Sequence, residues 1–202
     1  THERSSAASD VYKRQQLDWT RYDSDPNSWR TRYVGEALQN AFSQSIYGFD
    51  HIIGNCNSAP AWLKTNGQHN GGGTLISGGE SEFSEFLVAF LNGMESRYGI
   101  EVTAISPTNE PDYEVSYESM NTTPSELSSI LINLNARLSN SGLDYINIVS
   151  PECFRVESQN SGNSATNYIN TMFENSAVEE AVDIIGTHTY ADPNHNANWN
   201  AL

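Results

Sequence analysis

The chain has 202 residues, 25 Asp and Glu against 10 Lys and Arg, and a formal charge of −15. An acidic surface of that size argues against nucleic acid or an anionic membrane as partner and suits a neutral or polymeric substrate. No apolar run approaches the ~20 residues of a membrane span, and 202 residues suffice for a sizeable core. Cys56 and Cys153 are 97 positions apart and lack metal-ligand spacing; two buried thiols are expected rather than a bridge.

In chain order, Ser5 to Gln15 comes first and resembles the through-translation of a sequencing adapter. Residues 1–15 are therefore set aside as a non-native tail, and residues 16–202 are read as the domain. The Asp23-Ser24-Asp25-Pro26-Asn27 run is read as a solvated turn rather than a calcium loop. Tyr33 to Ile46 reads as helical. Phe49 to Gly54 reads as a short buried strand, followed by a Gly- and Asn-rich loop from Thr65 to Gly79. Phe83, Phe86, Leu87, Phe90, Leu91, Met94 and Tyr98 then follow the 3.6-residue period, with Gly99 where a left-handed cap belongs. A strand from Glu101 to Ser106 comes next. Thr123-Pro124-Ser125-Glu126 is a helix start with a threonine cap, proline in the first turn and glutamate three residues on. Leu127, Ile130, Leu131, Leu134 and Leu138 make its apolar stripe, and Gly142 ends it. Tyr145 to Ser150 is another strand, Ser164 to about Asn175 a weaker helix, and Val182 to Thr187 a final strand.

Alternating strands and helices with short connections imply a parallel sheet with helices on its faces. No Gly-x-Gly-x-x-Gly or Walker loop follows any strand, which removes the strongest cues for an open nucleotide-binding sheet. Polar residues gather instead at strand C-termini: Asn55-Cys56-Asn57-Ser58, Thr108-Asn109-Glu110, Pro151-Glu152 and His188-Thr189-Tyr190. Barrel enzymes carry their chemistry at that end, so the expected fold is α/β, a partial (β/α)8 TIM barrel.

Within that pattern, Asn109-Glu110-Pro111 stands out. An apolar strand ends in a carboxylic acid next to an amide that can both donate and accept. Such a pair suits a general acid and a neighbour that holds a substrate hydroxyl. Pro111 is expected to keep Glu110 in extended backbone.

The segment Ser58-Ala59-Pro60-Ala61-Trp62-Leu63-Lys64-Thr65-Asn66-Gly67, with Asn70-Gly71-Gly72-Gly73-Thr74-Leu75, resembles the third-strand signature of glycoside hydrolase family 30. Asn109-Glu110-Pro111 and Gly186-Thr187-His188-Thr189-Tyr190 resemble the motifs of its fourth and sixth strands, and Leu17-Asp18-Trp19-Thr20 more loosely the segment after its second. That resemblance implies a retaining β-glycosidase acting by double displacement. Glu110 would be its acid/base, standing about 5–5.5 Å from a nucleophilic carboxylate. It also implies substrate-binding roles for Asn109, Trp62, Asp18, His188 and Tyr190, with Trp62 as the platform on which a sugar's C–H face stacks. It implies a carbohydrate substrate, a secreted protein and no metal or organic cofactor.

In that family the nucleophile is a glutamate ending the seventh strand, so the expected chain is a fragment, roughly the end of strand two through strand six of a barrel of about 250 residues. Alone it is expected to be inactive and to expose open sheet edges. Glu152 is another strand-end glutamate, but no family motif marks it. Two alternatives stay open on these residues: a non-catalytic carbohydrate-binding barrel, and a cellulase-type endoglucanase of the same clan.

Overall fold

In the structure, a computed structural model, residues 29–44, 49–157 and 164–189 are described. The chain divides into two compact units, one drawn from the chain up to Ile52 together with Glu85–Val102, the other from Ile53–Ser84 and from Thr103 onward.

The first unit contains helix α1 (Trp29–Gln44) and most of helix α2 (Glu80–Tyr98). The Gln39 side-chain amide donates to the Tyr98 carbonyl at 3.3 Å. Phe42 meets Phe49 edge-on, with ring centroids 5.0 Å apart. At the end of α2, Gly99 takes φ +66°, and the Ile100 N–H reaches back to the Met94 carbonyl, closing the helix end the sequence predicts.

The second unit is built on four strands, β1 (Ile53–Asn55), β2 (Ala104–Ser106), β3 (Asn147–Cys153) and β4 (Ile184–Thr187). Each pairs in parallel with the next, in the order β1-β2-β3-β4. A doubly wound sheet reverses its direction of growth, whereas successive strands of a (β/α)8 barrel always advance the same way. The expected fold class holds: an α/β arc of parallel strands, as in part of a barrel. The observed strands start two to four residues later than the periodicity suggests; Phe49 and Tyr145, at the starts of two of the expected strands, are exposed.

Helix α3 (Pro124–Asn140) follows β2. Its start is the capping box the sequence predicts: the Glu126 N–H reaches Thr123 Oγ1, and the Thr123 N–H reaches Glu126 Oε2 at 2.8 Å. The stripe Leu127, Ile130, Leu131, Leu134 and Leu138 is fully buried. After β3 the predicted helix is α4 (Ala165–Met172), ending three residues short of the expected Asn175, and a one-turn helix that the sequence did not indicate, α5 (Ser176–Glu179), follows it. Asn175 divides them, since its side chain caps a new helix by accepting from the Ala177 N–H at 3.1 Å. Helix α4 packs against both α3 and β3, and the Tyr168 hydroxyl, near the middle of α4, donates to the Thr122 carbonyl just before α3.

Both cysteines are free thiols. Burial pushes the Cys56 thiol up to about 12 and raises that of Cys153 further still, so neither is a ready nucleophile. Among the described residues no helix is long and apolar enough to cross a membrane.

The stripe on α3 sets a first prediction. Leu131 has no exposed surface, so Leu131→Ala should cost about 2–5 kcal/mol, read as a lower urea midpoint with an unchanged denaturant slope.

Candidate active site

Four loops leave the C-terminal ends of the four parallel strands, and each brings polar side chains to that edge. After β1 the chain passes through a 3-10 turn, Ala61–Leu63, that carries Trp62. This segment is rigidly built. The ammonium of Lys64, a residue only 3 % exposed, donates to the Ser119 carbonyl, and burial lowers its pKa. The Gly72 N–H donates to Ser119 Oγ at 2.9 Å, and the Asn66 amide spans the carbonyls of Asn70, Gly71 and Gly72. The loop bearing Trp62 is thereby tied to the segment that follows Glu110. Trp62 itself stays 38 % exposed, so its indole is held in place with part of its surface open to solvent.

After β2, Ser106 Oγ donates to the Thr108 carbonyl at 2.8 Å and turns the chain. Glu110 then takes φ +49°, which corrects the expectation that Pro111 holds it extended. The local preference is overruled by two hydrogen bonds. The Glu110 N–H donates to the Glu152 carbonyl on the neighbouring strand at 2.9 Å, and the Tyr113 N–H folds back to the Glu110 carbonyl at 2.9 Å. Left-handed backbone at a non-glycine residue costs on the order of 1–3 kcal/mol and collects at functional sites. Among the described residues two non-glycine positions have positive φ, Glu110 and Glu152 (φ +59°).

Glu152 sits where the register between β3 and β4 shifts, between Pro151 paired to Gly186 and Cys153 paired to Thr187. A bulge of this kind re-aims the side chain it carries. The carboxylate is turned over Gly186, where even a Cβ would lie 2.0 Å from Glu152 Oε1. A side chain at this point of β4 would displace that carboxylate, so glycine is what lets Glu152 lie over the strand.

The side chains converge. His188 Nδ1 lies 2.8 Å from Glu110 Oε1, and His188 Nε2 lies 3.5 Å from Glu152 Oε2. Asn55, from the end of β1, donates its side-chain amide to Asn109 Oδ1 and to Glu152 Oε2, both at 3.2 Å. Glu110 is buried at 5 % exposure, while Asn109 is half-buried. The ring of His188 bridges two carboxyl groups, and Asn55 ties the second of these to the amide beside the first. Such a cluster sets two carboxyls, an imidazole and an amide within hydrogen-bonding reach of one another at the strand ends. Among the described residues no three His, Cys, Asp or Glu side chains are grouped to hold a metal ion.

Beyond the cluster, Asp112 Oδ1 accepts from the Phe154 N–H at 2.7 Å, a second tie between the loops after β2 and β3. The Tyr113 ring stacks on Phe154 with centroids 4.2 Å apart, and the Arg155 guanidinium lies 5.4 Å from the Phe154 ring centre. Tyr113 therefore belongs to a braced loop.

Of the site residues expected from sequence, Glu110, Asn109 and His188 come together in one cluster. Trp62 stands on a neighbouring loop at the same end of the sheet, and Asp18 and Tyr190 lie outside the described residues. Glu152 and Asn55 complete the cluster; their position at strand ends was visible, but the bulge that re-aims Glu152 leaves no motif.

Asp112 supplies a prediction. Burial, with a smaller push from Glu110, raises its pKa, and the Phe154 N–H and Arg155 oppose that only in part. A carboxyl whose folded pKa is raised binds its proton more tightly in the native state, so its contribution to stability falls as pH rises through that pKa. Asp112→Asn keeps an acceptor for the Phe154 N–H and removes the buried charge. Denaturant midpoints measured from acid to neutral pH should decline less steeply in this variant than in the wild type.

No protein-family model matches this sequence, and no curated protein gives a significant match. Solved structures do. A family 30 subfamily 8 xylanase from Clostridium acetobutylicum is 23% identical with a TM-score of 0.67, over 88% of this chain and 41% of that one. An endo-β-1,6-glucanase is 17% identical with a TM-score of 0.68, over 78% and 35%. The catalytic domain of a family 30 xylanase from Talaromyces cellulolyticus is 24% identical with a TM-score of 0.60, over 71% and 34%. The shared feature is the fold, and the chain spans roughly a third to two fifths of the length of these structures.

Proposed function

We propose that this chain forms the acid/base half of the active site of a retaining β-glycosidase, with Glu110 as the group that protonates the departing oxygen. The observation that carries the reading is the placement of Glu110: a buried carboxyl in left-handed backbone at the C-terminal end of a parallel strand, hydrogen-bonded to His188 and beside the amide of Asn109. The resemblance to glycoside hydrolase family 30 supports it, as do neighbours in fold that are described as xylanases and an endo-β-1,6-glucanase.

In this reading a β-linked glycan lies across the strand ends. Trp62 receives a sugar face, where apolar C–H groups meet an aromatic surface, and Asn109 holds a ring hydroxyl. As the bond from the anomeric carbon to the glycosidic oxygen breaks, the Glu110 proton passes to that oxygen and a second carboxylate bonds to the carbon. Water then attacks the glycosyl-enzyme, with Glu110 taking its proton. The family resemblance puts the nucleophile on a later strand than those described, so Glu110 is assigned the acid/base role alone. The charge of −15 favours a neutral or weakly charged glycan over a strongly acidic one, and the family resemblance fits action outside the cell on plant or microbial polysaccharide.

The test is Glu110→Gln in the complete gene product. Turnover of an unactivated β-glycan should fall by about 10²–10⁴. An aryl glycoside with a nitrophenolate leaving group needs no proton to depart, so its glycosylation step should be far less impaired. Added azide, which needs no general base, should restore turnover and give a glycosyl azide of retained configuration. A variant as active as the wild type on the unactivated glycan would remove Glu110 from the chemistry. Undiminished glycan binding without turnover in the wild type would favour a binding protein instead.

A further inference from the structure

We propose that Glu152 is a positioning residue that fixes the tautomer of His188, and that this tautomer presents to Glu110 a lone pair which only a protonated carboxyl can use. The inference rests on the reading of Glu110 as acid/base.

Three independent features of the chain aim this one carboxylate. The bulge between Pro151 and Cys153 puts Glu152 out of register with β4, and its backbone accepts a φ of +59°. Across the ladder, Gly186 leaves the space that the carboxylate fills, since any side chain there would overlap Oε1. From β1, the Asn55 amide donates to Oε2 at 3.2 Å. An NH2 group has no lone pair to offer, so it marks Oε2 as an acceptor.

That same oxygen is 3.5 Å from His188 Nε2, while Nδ1 on the other side of the ring is 2.8 Å from Glu110 Oε1. A neutral imidazole carries one N–H and one lone pair, and the partner of one nitrogen decides the state of the other. With a carboxylate oxygen opposite Nε2, the tautomer with hydrogen on Nε2 is attractive; the other sets a lone pair against a lone pair. At 3.5 Å the contact is long for a hydrogen bond, so the selection is chiefly electrostatic, and contacts of this kind shorten when a site fills. Nδ1 is then an acceptor, and a hydrogen bond across the 2.8 Å gap requires the proton to be on Glu110. Two carboxyls face the ring, one from the loop after β2 and one from β3, and the neutral Asn55 is tied to Glu152.

During the reaction the proton on Glu110 goes to the glycosidic oxygen as the carbon–oxygen bond breaks. It is replaced by one from the attacking water, and the ring keeps its own N–H throughout. Glu152 neither gains nor loses a proton and touches no substrate.

The experiment reads the ring directly. Long-range 1H–15N correlation spectra of this chain, labelled with 15N-histidine, distinguish the protonated nitrogen from the bare one at a pH where the ring's own titration shows it to be neutral. The wild type should show hydrogen on Nε2. In Glu152→Gln the side chain can donate as well as accept, and the population should move toward hydrogen on Nδ1; Glu152→Asp should keep the wild-type tautomer. In the complete gene product, Glu152→Gln should lower kcat on an unactivated β-glycan by ~10–100-fold, the scale typical of groups that orient a functional ligand. KM and the turnover of a nitrophenyl glycoside should change little, and Glu152→Asp should recover part of the loss. A merely structural role would depress both substrates alike.

Hydrogen on Nδ1 in the wild type would overturn the proposal without any variant having to fold, as would a tautomer indifferent to Glu152→Gln. The predicted tautomers in a complete gene product that cleaves no glycoside would uphold the positioning role and refute the glycosidase reading.

Discussion

The site depends on one backbone hydrogen bond, from the Glu110 N–H to the Glu152 carbonyl at 2.9 Å. It joins the ends of two neighbouring strands just where both chains leave extended geometry, at the two non-glycine residues of positive φ among those described. Each left-handed residue is unfavourable alone, by on the order of 1–3 kcal/mol. The bond between them, the turn that closes on Glu110 and the Asp112 to Phe154 tie hold both. The main chain thus fixes where the Glu110 side chain departs, and the His188 contact at 2.8 Å fixes where its carboxyl ends.

The surrounding packing holds that arrangement in place. Helix α3 buries an unbroken leucine and isoleucine stripe and touches β3, and α4 packs on both α3 and β3. The loop of Trp62 is drawn toward the segment after Glu110 by the buried Lys64 and by Ser119. A buried cation hydrogen-bonded to a carbonyl is a costly device, and its effect here is to tie the loop that carries the part-exposed Trp62 to the segment after Glu110. Stability of the helical layer and precision of the polar edge are thus separate properties: Leu131 bears on the first, Gly186 and Asn55 on the second.

What could be read from the sequence was what local chemistry decides. Thr123-Pro124-Ser125-Glu126 specified the start of α3 because a capping box is written in four adjacent residues. The parallel α/β arc followed from alternating periodicities, and Asn109-Glu110-Pro111 and His188 marked two corners of the cluster. Non-local determinants were not legible. The left-handed φ of Glu110 comes from a partner 42 positions away, against the preference that Pro111 imposes. Glu152 looked like an ordinary strand-end residue because a bulge has no signature in one strand alone. Gly186 reads as a weak point in a β-strand until the carboxylate it accommodates is in view. The one-turn helix α5, beyond the expected helix, turned on Asn175 acting as a cap, a role its side chain shares with many turn residues.

On the proposed reading, the carboxyl at position 110 faces the oxygen of a scissile glycosidic bond. The most direct test of that reading is a crystal structure of the complete gene product carrying Glu110→Gln, bound to an intact β-linked oligosaccharide that spans the strand ends. The expected result is the side chain at 110 within hydrogen-bonding reach of a glycosidic oxygen, about 2.6–3.2 Å, with His188 on its other side. A glycan bound elsewhere on the molecule, or crossing these strand ends with every glycosidic oxygen out of reach of position 110, would contradict it.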